Sequence, residues 1–154
     1  MNITNTEPET IEEAFSEYLK SKNLRHTIER DAIFGKIYNT DEPFTPEMLR
    51  QKLEDENFRV SKASIYNTIE LLLDAKIIVR HQFTNSLVQY ELKHLSEGYA
   101  YLICTHCDRV RKIREEKINN FLDKLKISKF TSEYYSLYFY GICSRCKYMP
   151  SRNK

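Results

Sequence analysis

Cys104-Thr-His-Cys107 and Cys143-Ser-Arg-Cys146 hold the only cysteines of the chain. A two-residue spacer brings both sulfurs of a pair to one ion, and four thiolates complete a tetrahedral zinc shell with Zn–S bonds of about 2.3 Å. Such a shell leaves no coordination position open, so it holds a fold together rather than catalysing a reaction. The stretch between Cys107 and Cys143 is too long for a simple zinc ribbon, so intervening secondary structure must return the second pair to the first. The same spacing serves thiol–disulfide exchange when a thiolate sits at a helix N-terminus beside a βαβ pattern. Here both pairs follow strand-like runs. Metal analysis of freshly purified protein separates the two chemistries.

The chain that must position these sulfurs has 154 residues, 41% hydrophobic and 12% aromatic, enough for one packed domain or two small ones. No apolar run approaches the roughly 20 residues that cross a bilayer. The acidic start, with Glu7, Glu9, Glu12 and Glu13, is unlike a signal peptide. A cytoplasmic protein with no membrane partner is expected, and reduced thiols there favour metal binding over disulfides. The net charge of +2 divides unevenly: residues 1–92 carry 11 basic and 16 acidic side chains, residues 93–154 carry 13 and 6. No nucleophile has a base at a recognisable spacing, so no enzymatic activity is expected.

Ile11, Ala14, Phe15, Tyr18 and Leu19 recur with the period of an amphipathic helix. Ile28, Ala32, Ile33, Ile37 and Tyr38 predict a second helix. Thr45 followed by Pro46 opens a third, with Met48, Leu49 and Leu53. Ser61 caps a fourth, which buries Ile65, Ile69, Leu72 and Leu73 and leaves Ser61, Lys62, Ser64, Asn67 and Thr68 on its other side. The β-prone runs "IIVRHQF" and "LVQYEL" then flank Thr84-Asn85-Ser86, a hairpin turn. Helices followed by a hairpin make a winged helix, whose last helix enters the major groove of DNA.

Beyond "KHLSEG" the pattern changes. Strands are predicted around Tyr99–Cys104 and Val110–Ile113, then a helix with Ile118, Phe121, Leu122 and Leu125 on one face, then a last strand in "YYSLYFYGI". That strand alternates Tyr135, Leu137 and Phe139 with Tyr134, Tyr138 and Tyr140, so both faces are expected to be covered, one of them by a second subunit. The fold class is therefore α+β: a winged-helix domain over residues 1–92 and a small α/β domain over 93–154 that carries the zinc site.

Taken in order, "LRHTIERDAIF", "VSKASIYNTIELLLDAKIIVRHQF", "YEL", "LICTHCDRV" and "YSLYFYGICSRC" resemble the ferric uptake regulator (Fur) family of dimeric bacterial transcription factors, over roughly residues 10–147. The resemblance implies a homodimer joined through residues 93–154 and a structural zinc, one per subunit, on Cys104, Cys107, Cys143 and Cys146. It implies that Tyr66 contacts DNA and that Arg25 points at the minor groove. With Ser61, Lys62, Ser64 and Asn67 these form the expected DNA-binding set, and two-fold symmetry predicts an inverted-repeat operator on double-stranded DNA. Asn67 stands where the family has arginine, and its amide can bond to adenine but cannot neutralise phosphate.

The sensor departs further. Gly98, Tyr99, Ala100 and Tyr101 occupy the family's histidine-rich ligand stretch, Phe44 and Tyr135 stand at two further ligand positions, and Asn119 at one often held by glutamate. Only Glu91 remains. Neutral phenol is a poor ligand for divalent iron or zinc. The usual regulatory site is therefore expected to be absent, with aromatic packing in its place. A relocated site on Glu91, His94 and Glu97 is the alternative, and the residues do not choose among Fe2+, Mn2+, Zn2+, haem or no effector. Two other readings stay open: a zinc-stapled winged-helix module that docks a protein partner, and a thiol redox protein.

Overall fold

Four hydroxyl side chains open the first four helices. Thr10, Thr27, Thr45 and Ser61 each accept a hydrogen bond from the backbone N–H three residues on, so one otherwise orphaned amide per helix is satisfied. The computed structural model describes residues 10–149; Glu7 and Glu9 lie outside them. The helices are α1 (Ile11–Ser21), α2 (Ile28–Tyr38), α3 (Pro46–Asp55) and α4 (Lys62–Asp74). Phe15, Leu19, Ile33, Ile37, Leu49, Leu53, Ile65, Ile69 and Leu72 are buried. Ile28 and Tyr38, assigned to the apolar face of α2 from their spacing, are exposed instead, because they occupy its first and last positions.

Three of these helices stop in the same way without glycine. Asn23, Asn57 and Lys76 take φ of 56°, 59° and 58°. The next residues, Leu24, Phe58 and Ile77, then return their N–H groups to Leu19, Leu53 and Leu72 at 2.8, 2.9 and 3.0 Å. This six-to-one bond with an apolar pair is the Schellman motif.

Strands β1 (Ile78–Gln82) and β2 (Val88–Leu92) form the hairpin, whose turn is tied by the Leu87 N–H donating to Thr84 Oγ1 at 3.0 Å. Phe44 and Tyr90 bond reciprocally through their backbones at 2.8 Å, adding the residues before α3 to β2.

After a short α5 (Lys93–Ser96), β3 (Ala100–Cys104), β4 (Val110–Ile113), α6 (Glu116–Asp123), β5 (Leu137–Gly141) and α7 (Ser144–Tyr148) follow. The sheet order is β4-β3-β5. β3 pairs antiparallel with β4, Leu102 opposite Arg111, and parallel with β5, Leu102 opposite Phe139. The chain divides into two compact units, one running to His81 and including Gln89–Leu95, the other comprising Gln82–Val88 and the residues from Ser96 onward. Phe83 and Leu87, from the hairpin tip, thus pack in the second unit with Tyr101, Ile103, Val110 and Tyr138.

Two expectations need correcting. β5 is shorter than the run "YYSLYFYGI", and Tyr134, Tyr135, Phe139 and Tyr140 are exposed within the single chain. Phe121 is 67% exposed, and Leu125 lies beyond the end of α6 and is exposed too. The apolar spacing was real, but the surfaces it marks are not covered by this chain.

Candidate metal centre and nucleic-acid interface

Parallel pairing explains how the two cysteine pairs meet. Cys104 lies opposite Gly141 in the register, so β3 and β5 end side by side and both turns leave from one end of the sheet. The Thr105 N–H donates to the Gly141 carbonyl at 2.8 Å, which pins the first turn to the second strand. The first turn closes with Asp108 at φ 56° and its N–H on the Cys104 carbonyl at 2.9 Å. Cys143 then caps α7, which carries Cys146.

All four sulfurs lie within 4.8 Å of one another, and Cys107 Sγ and Cys143 Sγ are 3.9 Å apart. A tetrahedron with Zn–S bonds of about 2.3 Å has edges of about 3.8 Å, so the cluster fits a zinc site. The Cys143 N–H donates to Cys104 Sγ at 3.3 Å. This bond, with amides of Cys107 and His106, holds the Cys104 thiol down at about 6. Cys146 is pushed up to about 12, first by its hydrogen bonds to the sulfurs of Cys143 and Cys107. Cys143 stands at a helix start, so position alone does not exclude redox chemistry there. Convergence of four sulfurs on one point is what a dithiol exchange centre does not need and a metal does.

The relocated set does not converge. Glu91 is fully buried and bonded to the equally buried His81, Oε2 to Nε2 at 3.0 Å. His94 sits exposed on α5 and Glu97 is exposed beyond it. Among the described residues, the four cysteines are the only group of three or more His, Cys, Asp or Glu side chains arranged to hold an ion.

On α4, Lys62 and Asn67 are exposed, and Lys62 Nζ lies 5.8 Å from the Tyr66 ring centroid. The Tyr66 hydroxyl donates to Glu47 at 3.4 Å. Burial, then the Glu47 charge, raises its pKa above the ordinary tyrosine value. Ser61 Oγ accepts the Ser64 N–H at 3.0 Å and donates to Ser64 Oγ at 2.9 Å, while Ser64 Oγ donates to Glu29. Arg25 is exposed on the loop before α2, and its carbonyl accepts from Arg30 Nη1. The neighbouring His26 lies between Asp31, at 2.6 Å, and Ser16, at 3.2 Å. Sequence reasoning placed Lys62 and Asn67 on the outer face of α4 correctly, but Thr68, expected there, is buried with its hydroxyl on the Ser64 carbonyl. It missed Glu29 and Glu47, which reach α4 from other helices and leave no local pattern.

Residues 21–140 match the family model described as the ferric uptake regulator family. The chain belongs to that family. It is 25% identical over 159 residues to the ferric uptake regulation protein of Campylobacter jejuni, covering 100% of this chain and 99% of that one. With the counterpart in Vibrio parahaemolyticus it shares 29% over 143 residues, 88% of this chain and 93% of the other. The solved ferric uptake regulator of Helicobacter pylori shares its fold, with a TM-score of 0.71 at 19% identity over 95% of this chain and 99% of that one.

Of the positions at which the resemblance implies regulatory ligands, Tyr101 and Phe44 are packed into the interior, whereas Tyr135 is exposed. Tyr101 is buried, with ring centroids 5.2 Å from Phe83 and 5.9 Å from Tyr138. Tyr99 carries Lys112 Nζ 4.4 Å from its ring centroid and the Arg114 guanidinium at 5.8 Å. Gly98, at φ 77°, gives its carbonyl to Asn119 Nδ2 at 2.7 Å. Phe44 is buried beside Tyr90, and no helix of the described residues is long and apolar enough to cross a membrane.

Proposed function

We propose that this chain is a dimeric, sequence-specific DNA-binding repressor that works in the cytoplasm and catalyses no reaction. The observation that carries this reading is the outer face of α4: a serine-capped helix in a family-matched chain, with Lys62, Tyr66 and Asn67 directed away from the core. Arg25 adds a contact beside it, and Ser61 and Ser64 hold the first turn. One structural zinc per subunit on Cys104, Cys107, Cys143 and Cys146 fixes the ends of β3 and β5. The exposed aromatic residues of β5, Phe139 and Tyr140, with Tyr134 and Tyr135 just before it, form the surface that a second copy covers. Two subunits then present two α4 helices to an inverted repeat.

The usual regulatory metal site is absent in this reading. Tyrosines fill its place, protein cations lie on the Tyr99 ring, and the one retained carboxylate, Glu91, is bonded to His81. DNA binding then proceeds without a second, exchangeable metal. The test is binding of the zinc-replete protein to its own promoter region, with and without Fe(II), Mn(II) or Zn(II). Affinity unchanged within about twofold agrees with the proposal, whereas tightening through a second metal per subunit refutes it.

The acidic balance of residues 1–92 favours a second reading, a zinc-stapled module that docks a protein through the winged helix. Absence of any shift of promoter DNA, with dimer and zinc intact, selects it.

A further inference from the structure

The recognition face has a one-sided hydrogen-bond polarity. Ser61 Oγ–H goes to Ser64, Ser64 Oγ–H goes to Glu29, and Tyr66 O–H goes to Glu47. Thr68 Oγ1, on the same helix, donates to the Ser64 carbonyl at 2.8 Å. Every hydroxyl of α4 and its cap thus directs its proton at the protein. Two of these chains end on carboxylates, and a carboxylate can only accept.

We infer that Glu29 and Glu47 are positioning residues that set what the recognition helix can read, an assignment that rests on the DNA-binding reading above. A hydroxyl whose proton is committed offers only its lone pairs. Phosphate oxygens, guanine O6 and N7, and thymine O4 are acceptors and gain nothing from it. In the major groove its partners are the amino groups of adenine N6 and cytosine N4. Tyr66 and Ser64 therefore select amino-bearing bases. Phosphate contact falls to Lys62 and neighbouring cations. This gives the acidic side chains near α4 a purpose that net charge hides: Glu29 and Glu47 cost some attraction to the duplex and return discrimination among bases.

The experiment is selection from a pool of randomised duplexes with the full-length, zinc-replete protein and its E47A, E47Q, Y66F, E29A and S64A variants, each checked for zinc content and thermal midpoint. Wild type is expected to enrich adenine or cytosine at one position per half-site that both Y66F and E47A lose, with a preference of roughly fivefold, the worth of one hydrogen bond. E47Q, which still offers an accepting oxygen, keeps it. E29A and S64A change a second position together. A purely structural role would weaken binding to all sequences alike and leave the base preference in place. Selection by E47A and E29A of the wild-type sequence overturns the assignment while leaving DNA binding standing. A wild-type protein that enriches no sequence overturns both.

Discussion

Cys143 donates its backbone N–H to Cys104 Sγ at 3.3 Å, across the ends of two strands that run parallel and whose cysteines lie far apart in sequence. One sulfur of the first pair is thus already held by the backbone of the second, and the remaining sulfurs gather around it.

Replacing Cys104 or Cys143 with serine is expected to abolish zinc retention and cooperative unfolding of the second unit, while leaving the helical signal of α1–α4. Metal analysis and circular dichroism check this. Because thiols must lose protons to bind the ion, zinc affinity falls as pH falls, and competition with a chelator across pH 8 to about 6 reads that slope.

Tyr18 donates to Asp74 from α1 to the end of α4, with Lys22 Nζ 3.7 Å from the same carboxylate. That bond pushes the Tyr18 pKa up to about 12 and lowers that of Asp74. The raised tyrosine stabilises the fold below the ordinary tyrosine value of 10.0 and loses the effect as pH climbs toward about 12. The lowered carboxyl stabilises above 3.8 and loses the effect as pH falls below it. Wild type should therefore exceed Y18F in urea midpoint between these limits and converge with it outside them.

Lys76 holds φ 58° at the end of α4, a conformation that costs a side chain about 1 kcal/mol relative to glycine. K76G is expected to stabilise the protein by roughly 0.5–1 kcal/mol, read from the denaturant midpoint. A loss of stability would show that the lysine side chain matters more than the backbone strain.

K62A should weaken binding to every duplex and reduce the slope of log affinity against log salt by about 0.9, one phosphate contact, without changing sequence preference. Titrations at several salt concentrations measure it.

The first four helices were legible from their apolar stripes, α3 and α4 also from the caps Thr45 and Ser61, whereas the caps Thr10 and Thr27 were not read from the sequence. The hairpin was legible from its turn. The four cysteines converged as their spacing required. What escaped was decided at long range. Glu29 reaches Ser64 across 35 positions and Glu47 reaches Tyr66 across 19, and no periodicity encodes either. α7 is too short to show a period, and it begins on a cysteine rather than a usual capping residue. Phe121 and Phe139 obeyed the alternation of buried faces yet remain uncovered in one chain, since sequence marks an apolar surface without saying whose atoms cover it.

Among the described residues β5 has a hydrogen-bonded neighbour on one side only, and its far end lies beside the cysteines. Without an ion at the cysteines, only backbone bonds such as that of the Thr105 N–H to the Gly141 carbonyl would hold that end of the tyrosine-rich strand, and a sheet edge that loosens is a template for cross-chain association. On the proposed reading, a zinc bound there would have a second service, keeping newly made chains from clumping before they pair.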